Sequence, residues 1–165
     1  PDSPDFDKAI AVSELGARAT GGVTLMSTAV IFKTRKGTVT SVDWASFLER
    51  LKYVPMNVQN AHMVLVLLDN VDKGVPLDRE AVGRVIQIAS ARWTFGSYEN
   101  LRFGAFFHNE TRQPERAFPY LRRAVELAPP GDPDIAKMLV ELREAGLGGW
   151  ADELERMPRS SSHSR

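Results

Sequence analysis

From Ser41 onward, apolar residues recur at helical spacing in one segment after another. The first of these segments is expected to begin at Ser41 as its N-cap and to end at Pro55. Its apolar stripe consists of Trp44, Phe47, Leu48 and Leu51. Residues three and four apart lie on one face of an α-helix, and the loops between the segments are short. The sequence therefore predicts a mainly α fold of antiparallel helical hairpins.

Composition limits the classes of partner and of site. The chain has 165 residues, of which 43% are hydrophobic, so it can bury a continuous core. Lys and Arg number 21, as do Asp and Glu, so no net charge attracts nucleic acid or anionic lipid. The sequence contains no cysteine, which excludes disulfides, thiolate nucleophiles and cysteine-based metal sites.

The two ends of the chain differ from the middle. Helical spacing from Phe6 stops at Gly21 and Gly22, and residues 23–33 are then rich in Val, Thr, Ile and Phe. We expect a β-hairpin here with its turn at Lys36 and Gly37, and an amphipathic helix is the alternative. Residues 1–41 thus form an N-terminal helix plus hairpin or linker region, residues 42–157 a helical domain, and residues 158–165 a disordered polar tail.

An internal period of 34 residues appears in the second half of the chain. It pairs Ala117 with Ala151, Gly104 with Met138, and Arg112 with Gly146. Small residues at such positions let two antiparallel helices approach closely.

The order of residues within one unit resembles a known repeat. Ala117, Leu121, Ala124 and Pro129 occupy the small, large, small and terminating proline positions of a tetratricopeptide repeat. The resemblance covers residues 42–157, although His108 and Arg112 replace the aromatic residue and the glycine of the family's pattern. It implies a short right-handed solenoid of helical hairpins. Within it, Pro114 is expected to begin a second helix that Pro119 bends or delays.

The resemblance also implies a binding surface, because these repeats hold protein or peptide partners in a concave groove lined by the first helix of each unit. The aligned groove positions are Gln59, His62, Asp69, Glu99, Arg102, Phe106, Asn109 and Arg143. Their mix of charges and amides, with Phe106 as an apolar anchor pointing away from the core, suits an extended peptide. The alternative is a solvated helix face. His108 is expected to be a core residue.

Signs of catalysis or of bound cofactors are absent from the sequence. It has no HExxH pair, no phosphate-binding loop and no Gly-x-Ser-x-Gly, and "GLGG" follows no strand. We therefore expect a binding scaffold without metal, cofactor or nucleic acid, rather than an enzyme. The alternatives are a regulatory part of an enzyme and an RNA-contacting helical repeat.

The resemblance also carries an expectation about location. Tetratricopeptide repeats occur as soluble C-terminal appendages of bacterial membrane proteins, including glycan polymerases and glycosyltransferases. The start at Pro1 and the apolar residues 23–32 suit such an origin. The second candidate function is therefore a periplasmic or extracytoplasmic regulatory appendage, attached to a membrane-embedded part outside this chain. A homodimer through the last helix or through residues 23–32 is a further expectation.

Overall fold

The computed structural model describes residues 5–159, and within them every regular element is helical. The α-helices are α1 (Phe6–Thr20), α2 (Val23–Lys36), α3 (Ser41–Tyr53), α4 (Val58–Asp72), α5 (Arg79–Ser90), α6 (Ser97–Ala105), α7 (Pro114–Leu127), α8 (Pro133–Glu144) and α9 (Gly148–Glu155). A π-helical turn, Phe106–Glu110, continues α6. The mainly α prediction is confirmed.

The chain folds as two compact units, Pro1–Thr94 and Phe95–Arg165. The first unit contains α1 to α5, and the second contains α6 to α9. Helices α1 and α2 therefore belong to the same unit as α3, whereas the sequence places a domain boundary at residue 41. Most of the predicted disordered tail, residues 160–165, lies outside the described residues, as do residues 1–4.

The predicted β-hairpin that begins at residue 23 and turns at Lys36 and Gly37 is wrong, and the alternative, a helix, is present: α2 occupies Val23–Lys36 and Gly37 ends it with a left-handed backbone, φ 76°. The helix contacts α1, α3 and α4, so apolar residues appear on several of its faces and hide the helical period. The hydroxyls of Ser27, Thr28 and Thr34 donate hydrogen bonds of 2.7–2.9 Å to backbone carbonyl oxygens of the preceding turn. Tertiary packing thus overrides the β preference of the sequence.

Helix α3 begins one residue earlier than the sequence predicts, because Thr40 rather than Ser41 is its N-cap. The Thr40 hydroxyl accepts a hydrogen bond from the Asp43 amide, and the Asp43 carboxylate accepts one from the Thr40 amide. The predicted stripe of α3 is buried, and Phe47 and Leu51 have no exposed surface. This capping box holds the Asp43 carboxylate at the first turn of α3.

The second unit is built on the antiparallel pair α6 and α7. Gly104 on α6 permits the close crossing, since a Cβ there would lie 2.2 Å from Leu121 Cδ2. Ala117, Ala124 and Ala151 are completely buried, as the small-residue pattern predicts. The helix α7 starts at Pro114 and continues through Pro119, so the predicted late start does not occur.

Candidate functional site

The second unit contains a cleft of about 610 Å³ between α6 and α8. Helix α7 packs against α6 on one side and α9 on the other, and α9 packs against α8. One face of α6 and its π-helical turn forms one wall of the cleft, and one face of α8 forms the other. A helix-lined cleft of this volume is large enough for several side chains of a partner.

The floor of the cleft is apolar. Leu101 and Ala105 of α6, Leu121 of α7 and Met138 and Leu142 of α8 form it. Leu121 is in the floor because α7 approaches α6 so closely at Gly104. The small side chain of Ala105 is exposed and leaves space above it, although a spacing of 34 residues pairs it with the buried Leu139.

The rims of the cleft are polar and carry different charges. The α6 rim holds Arg102, His108 and Asn109, with the Arg102 guanidinium 6.0 Å from the centre of the exposed Tyr98 ring. The α8 rim holds three carboxylates and one ammonium group, those of Asp134, Glu141, Glu144 and Lys137. On this exposed rim, Lys137 Nζ lies 3.7 Å from Glu141 Oε1. The α8 rim is therefore negative overall.

The π-helical turn Phe106–Glu110 determines which side chains reach the cleft. Its wider winding buries both Phe106 and Phe107, with their rings 5.5 Å apart. Phe107 also stacks on Tyr120 of α7 at 5.4 Å. His108 and Asn109 follow on the opposite side and line the cleft, with His108 Nδ1 2.8 Å from Asn109 Oδ1. The prediction that His108 is a core residue is wrong.

A comparison of the two hairpins of this unit explains the turn. The turns between the two helices of each hairpin match at the expected spacing of 34, since both Arg112 and Gly146 have a positive φ. Their first helices match in burial at a spacing of 35. The buried pairs are Asn100 with Ile135, Phe103 with Met138, Gly104 with Leu139, and Phe107 with Leu142. The first hairpin thus holds one extra residue between Phe107 and Arg112, and the π-helical turn contains it.

This extra residue accounts for the misplaced prediction of Phe106. A shift of one residue rotates the face of a helix by about 100°. Phe106, expected to point into the groove, is only 4% exposed. Arg102 and Asn109 do line the cleft, whereas Glu99 does not.

Arg143 also lies outside the cleft lining, on another face of α8. Its guanidinium pairs with Asp152 at 3.1 Å and with Glu155 at 2.7 Å, both on α9. These hydrogen bonds, to Asp152 first, raise the pKa of Arg143 above its ordinary value. The role of Arg143 is thus to join α8 to α9.

The remaining predicted groove residues belong to the first unit. Gln59, His62 and Asp69 are all exposed on α4. The lining of the cleft comes entirely from residues of the second unit, so these three do not contribute to it.

The first unit has a smaller cleft, of about 320 Å³, whose polar groups bind one another. Lys33 of α2 pairs with Glu14 of α1 and, at 2.7 Å, with Asp43 of α3. The hydrogen bond to Asp43, followed by that to Glu14, raises the pKa of Lys33. Burial would raise the pKa of Asp43, but hydrogen bonds from Lys33 and Thr40 outweigh it and hold that pKa below its ordinary value. This network joins three helices and leaves few polar groups for a ligand.

Among residues 5–159, no group of three or more histidine, aspartate or glutamate side chains is placed to hold a metal ion. No helix in the same range has the length and apolar character needed to cross a bilayer. Comparisons with protein-family models, with curated proteins and with solved structures found no match to this chain.

Proposed function

We propose that this chain is a protein- or peptide-binding domain and that the cleft between α6 and α8 is its binding surface. The observation that carries the proposal is the combination of an apolar floor with two charged rims in a cleft of about 610 Å³. Recognition surfaces of this kind bind apolar anchor side chains in the floor and select their partner at the rim.

The chemistry of the lining favours binding over catalysis. The one histidine of the lining, His108, has its Nδ1 2.8 Å from Asn109 Oδ1, and among the described residues no serine, threonine or cysteine lines the cleft beside it. We propose, in addition, that the two hairpins of residues 95–159 are arranged as in tetratricopeptide repeats. Their close helix crossing at Gly104 and their matching turns at Arg112 and Gly146 support that arrangement.

Filling the cleft tests the proposed function. A library of random displayed peptides is selected on the immobilised full chain, and enriched peptides are then measured by fluorescence anisotropy. Ala105→Trp places an indole over the floor and is expected to weaken binding at least tenfold, because Ala105 is exposed and lines the cleft. Ala136→Trp is the matched control, since Ala136 is also exposed, on α8, and does not line the cleft.

The control is expected to bind the selected peptides as the original chain does. Circular dichroism and the unfolding midpoint of both tryptophan variants show whether the fold is kept. Equal binding by both variants, or the absence of any enriched peptide, contradicts the proposal.

A further inference from the structure

The geometry points to a short amphipathic α-helix with basic residues along one edge as the partner that this cleft binds. This inference rests on the proposed function and adds the conformation and the charge of the partner. The argument uses the shape of the cleft, the polar groups in its lining and the charge of its α8 rim.

The shape of the cleft suits a helix. Its lining on α8 runs from Asp134 to Ala145, about 17 Å of helix or roughly three turns. Two helical walls flank an apolar floor, which is the arrangement that accepts the apolar stripe of a third helix. Such a stripe repeats at three- and four-residue intervals, as do the lining residues of α8 themselves.

The polar groups of the cleft disfavour an extended peptide. An extended strand has backbone amides and carbonyls that need partners along its whole length. One carboxamide, that of Asn109, is in the cleft lining, and it already lies 2.8 Å from His108 Nδ1. A helix hydrogen-bonds its own backbone, so it requires only the apolar floor and charged partners at the rims.

The charge of the α8 rim selects basic residues. Asp134, Glu141 and Glu144 outnumber Lys137, the one cation of this rim. Among residues 5–159, the structure gives the carboxylates of Asp134 and Glu144 no ion pair or hydrogen bond. A bound helix with Lys or Arg facing α8 would pair with them, whereas an acidic edge would be repelled.

The edge of the bound helix that faces α6 meets different groups. Arg102, His108 and Asn109 form that rim, and they suit acidic or amide side chains. The bound helix is therefore basic on the edge that faces α8 and not on the other. This asymmetry fixes the direction in which the helix lies in the cleft.

Three synthetic peptides test the inference on the full chain. The first has an apolar stripe with leucines at helical spacing and lysines along one edge. The second has glutamates in place of those lysines, and the third is the lysine peptide with two prolines inside the stripe. Anisotropy titrations at low salt are expected to give the tightest binding for the lysine peptide. The other two are expected to bind about tenfold more weakly. The glutamate peptide loses a few exposed ion pairs, and the proline peptide loses the helical conformation.

Charge reversal on the rim provides the matched variant. Glu141→Lys combined with Glu144→Lys is expected to reverse the preference, so that the glutamate peptide binds better. Glu153→Lys on α9 is the control, because Glu153 is exposed outside the cleft lining and should leave the preference unchanged. The difference between the peptides should decrease in 0.5 M salt, because salt screens exposed charges.

The possible outcomes separate this inference from the proposed function. Equal binding of the lysine and glutamate peptides overturns the charge requirement, and undiminished binding of the proline peptide overturns the helical one. If displayed peptides bind the cleft but the lysine peptide does not, the inference fails and the proposed function stands. If Ala105→Trp has no effect on any peptide, the proposed function itself fails.

Discussion

Replacement of Arg112 by glycine tests the equivalence of the two hairpin turns. Arg112 has φ 53° and, among residues 5–159, is the one non-glycine residue with a positive φ. The left-handed conformation costs a residue with a Cβ about 1–2 kcal/mol. Glycine avoids that cost but loses about 0.5–1 kcal/mol through its greater freedom in the unfolded chain. The difference predicts that Arg112→Gly stabilises the second unit by roughly 0.5–1 kcal/mol.

The assay is thermal and urea unfolding of the full chain, followed by circular dichroism. A gain of this size raises the midpoint by about 2–8 °C for a unit of this length. Arg112→Ala controls for the loss of the charged side chain and should leave the midpoint nearly unchanged. The reciprocal variant Gly146→Arg should destabilise the unit by about 1 kcal/mol or more, since Gly146 has φ 79°.

The result that would refute this reasoning is an Arg112→Gly variant no more stable than Arg112→Ala. The turn after the π-helical segment would then lack its left-handed residue. The match between the turns of the two hairpins would lose its support with it.

Two further predictions concern packing and charge. Gly104→Ala should destabilise the chain by up to about 2 kcal/mol in urea unfolding, because the strain of displacing Leu121 exceeds the helix propensity gained. Gly149→Ala is the control and should cost nothing, since a Cβ added at Gly149 would have no atom within 4 Å. Lys33→Met should cost about 1.5 kcal/mol at pH 7, at the low end for hydrogen bonds to charged groups because solvent reaches Lys33. Stability from Asp43 should be present above its unfolded pKa and lost as pH falls through its lowered folded pKa, whereas that from Lys33 should be lost as pH rises through its raised pKa.

Each of these has a contradicting outcome. A Gly104→Ala chain as stable as the original would mean that α6 and α7 do not cross as closely as described. For the charge network, urea midpoints are compared from pH 2 to pH 11 with those of Lys33→Met. If the difference between the two chains were the same at every pH, the pairing of Lys33 with Asp43 would not contribute to stability.

The helical class and some of the buried positions could be predicted from the sequence, because they follow from local helical spacing and from the recurrence of small residues. The stripe of α3 and the fully buried Ala117 and Ala151 are examples. The nature of α2 could not be predicted in this way, because neighbours on several sides leave it without a clear polar face.

The cleft could be predicted only in part. The resemblance to tetratricopeptide repeats implies a groove that contains Arg102 and Asn109, and both residues line the cleft in the structure. It misplaces Phe106 because one extra residue in the π-helical turn changes the register between two segments that each keep their own period. A search that allowed the first helices a spacing of 35 would have brought Phe103 and Phe107 to the core positions of Met138 and Leu142.

Amide chemical-shift mapping tests the central claim, that the cleft of the second unit is the binding surface, most directly. The isotopically labelled full chain is titrated with a peptide selected on it. The largest changes are expected in residues 101–109 and 134–145, with none of this size in the Ala105→Trp variant. Changes concentrated in α4, around Gln59, His62 and Asp69, with residues 134–145 unaffected, would contradict the claim.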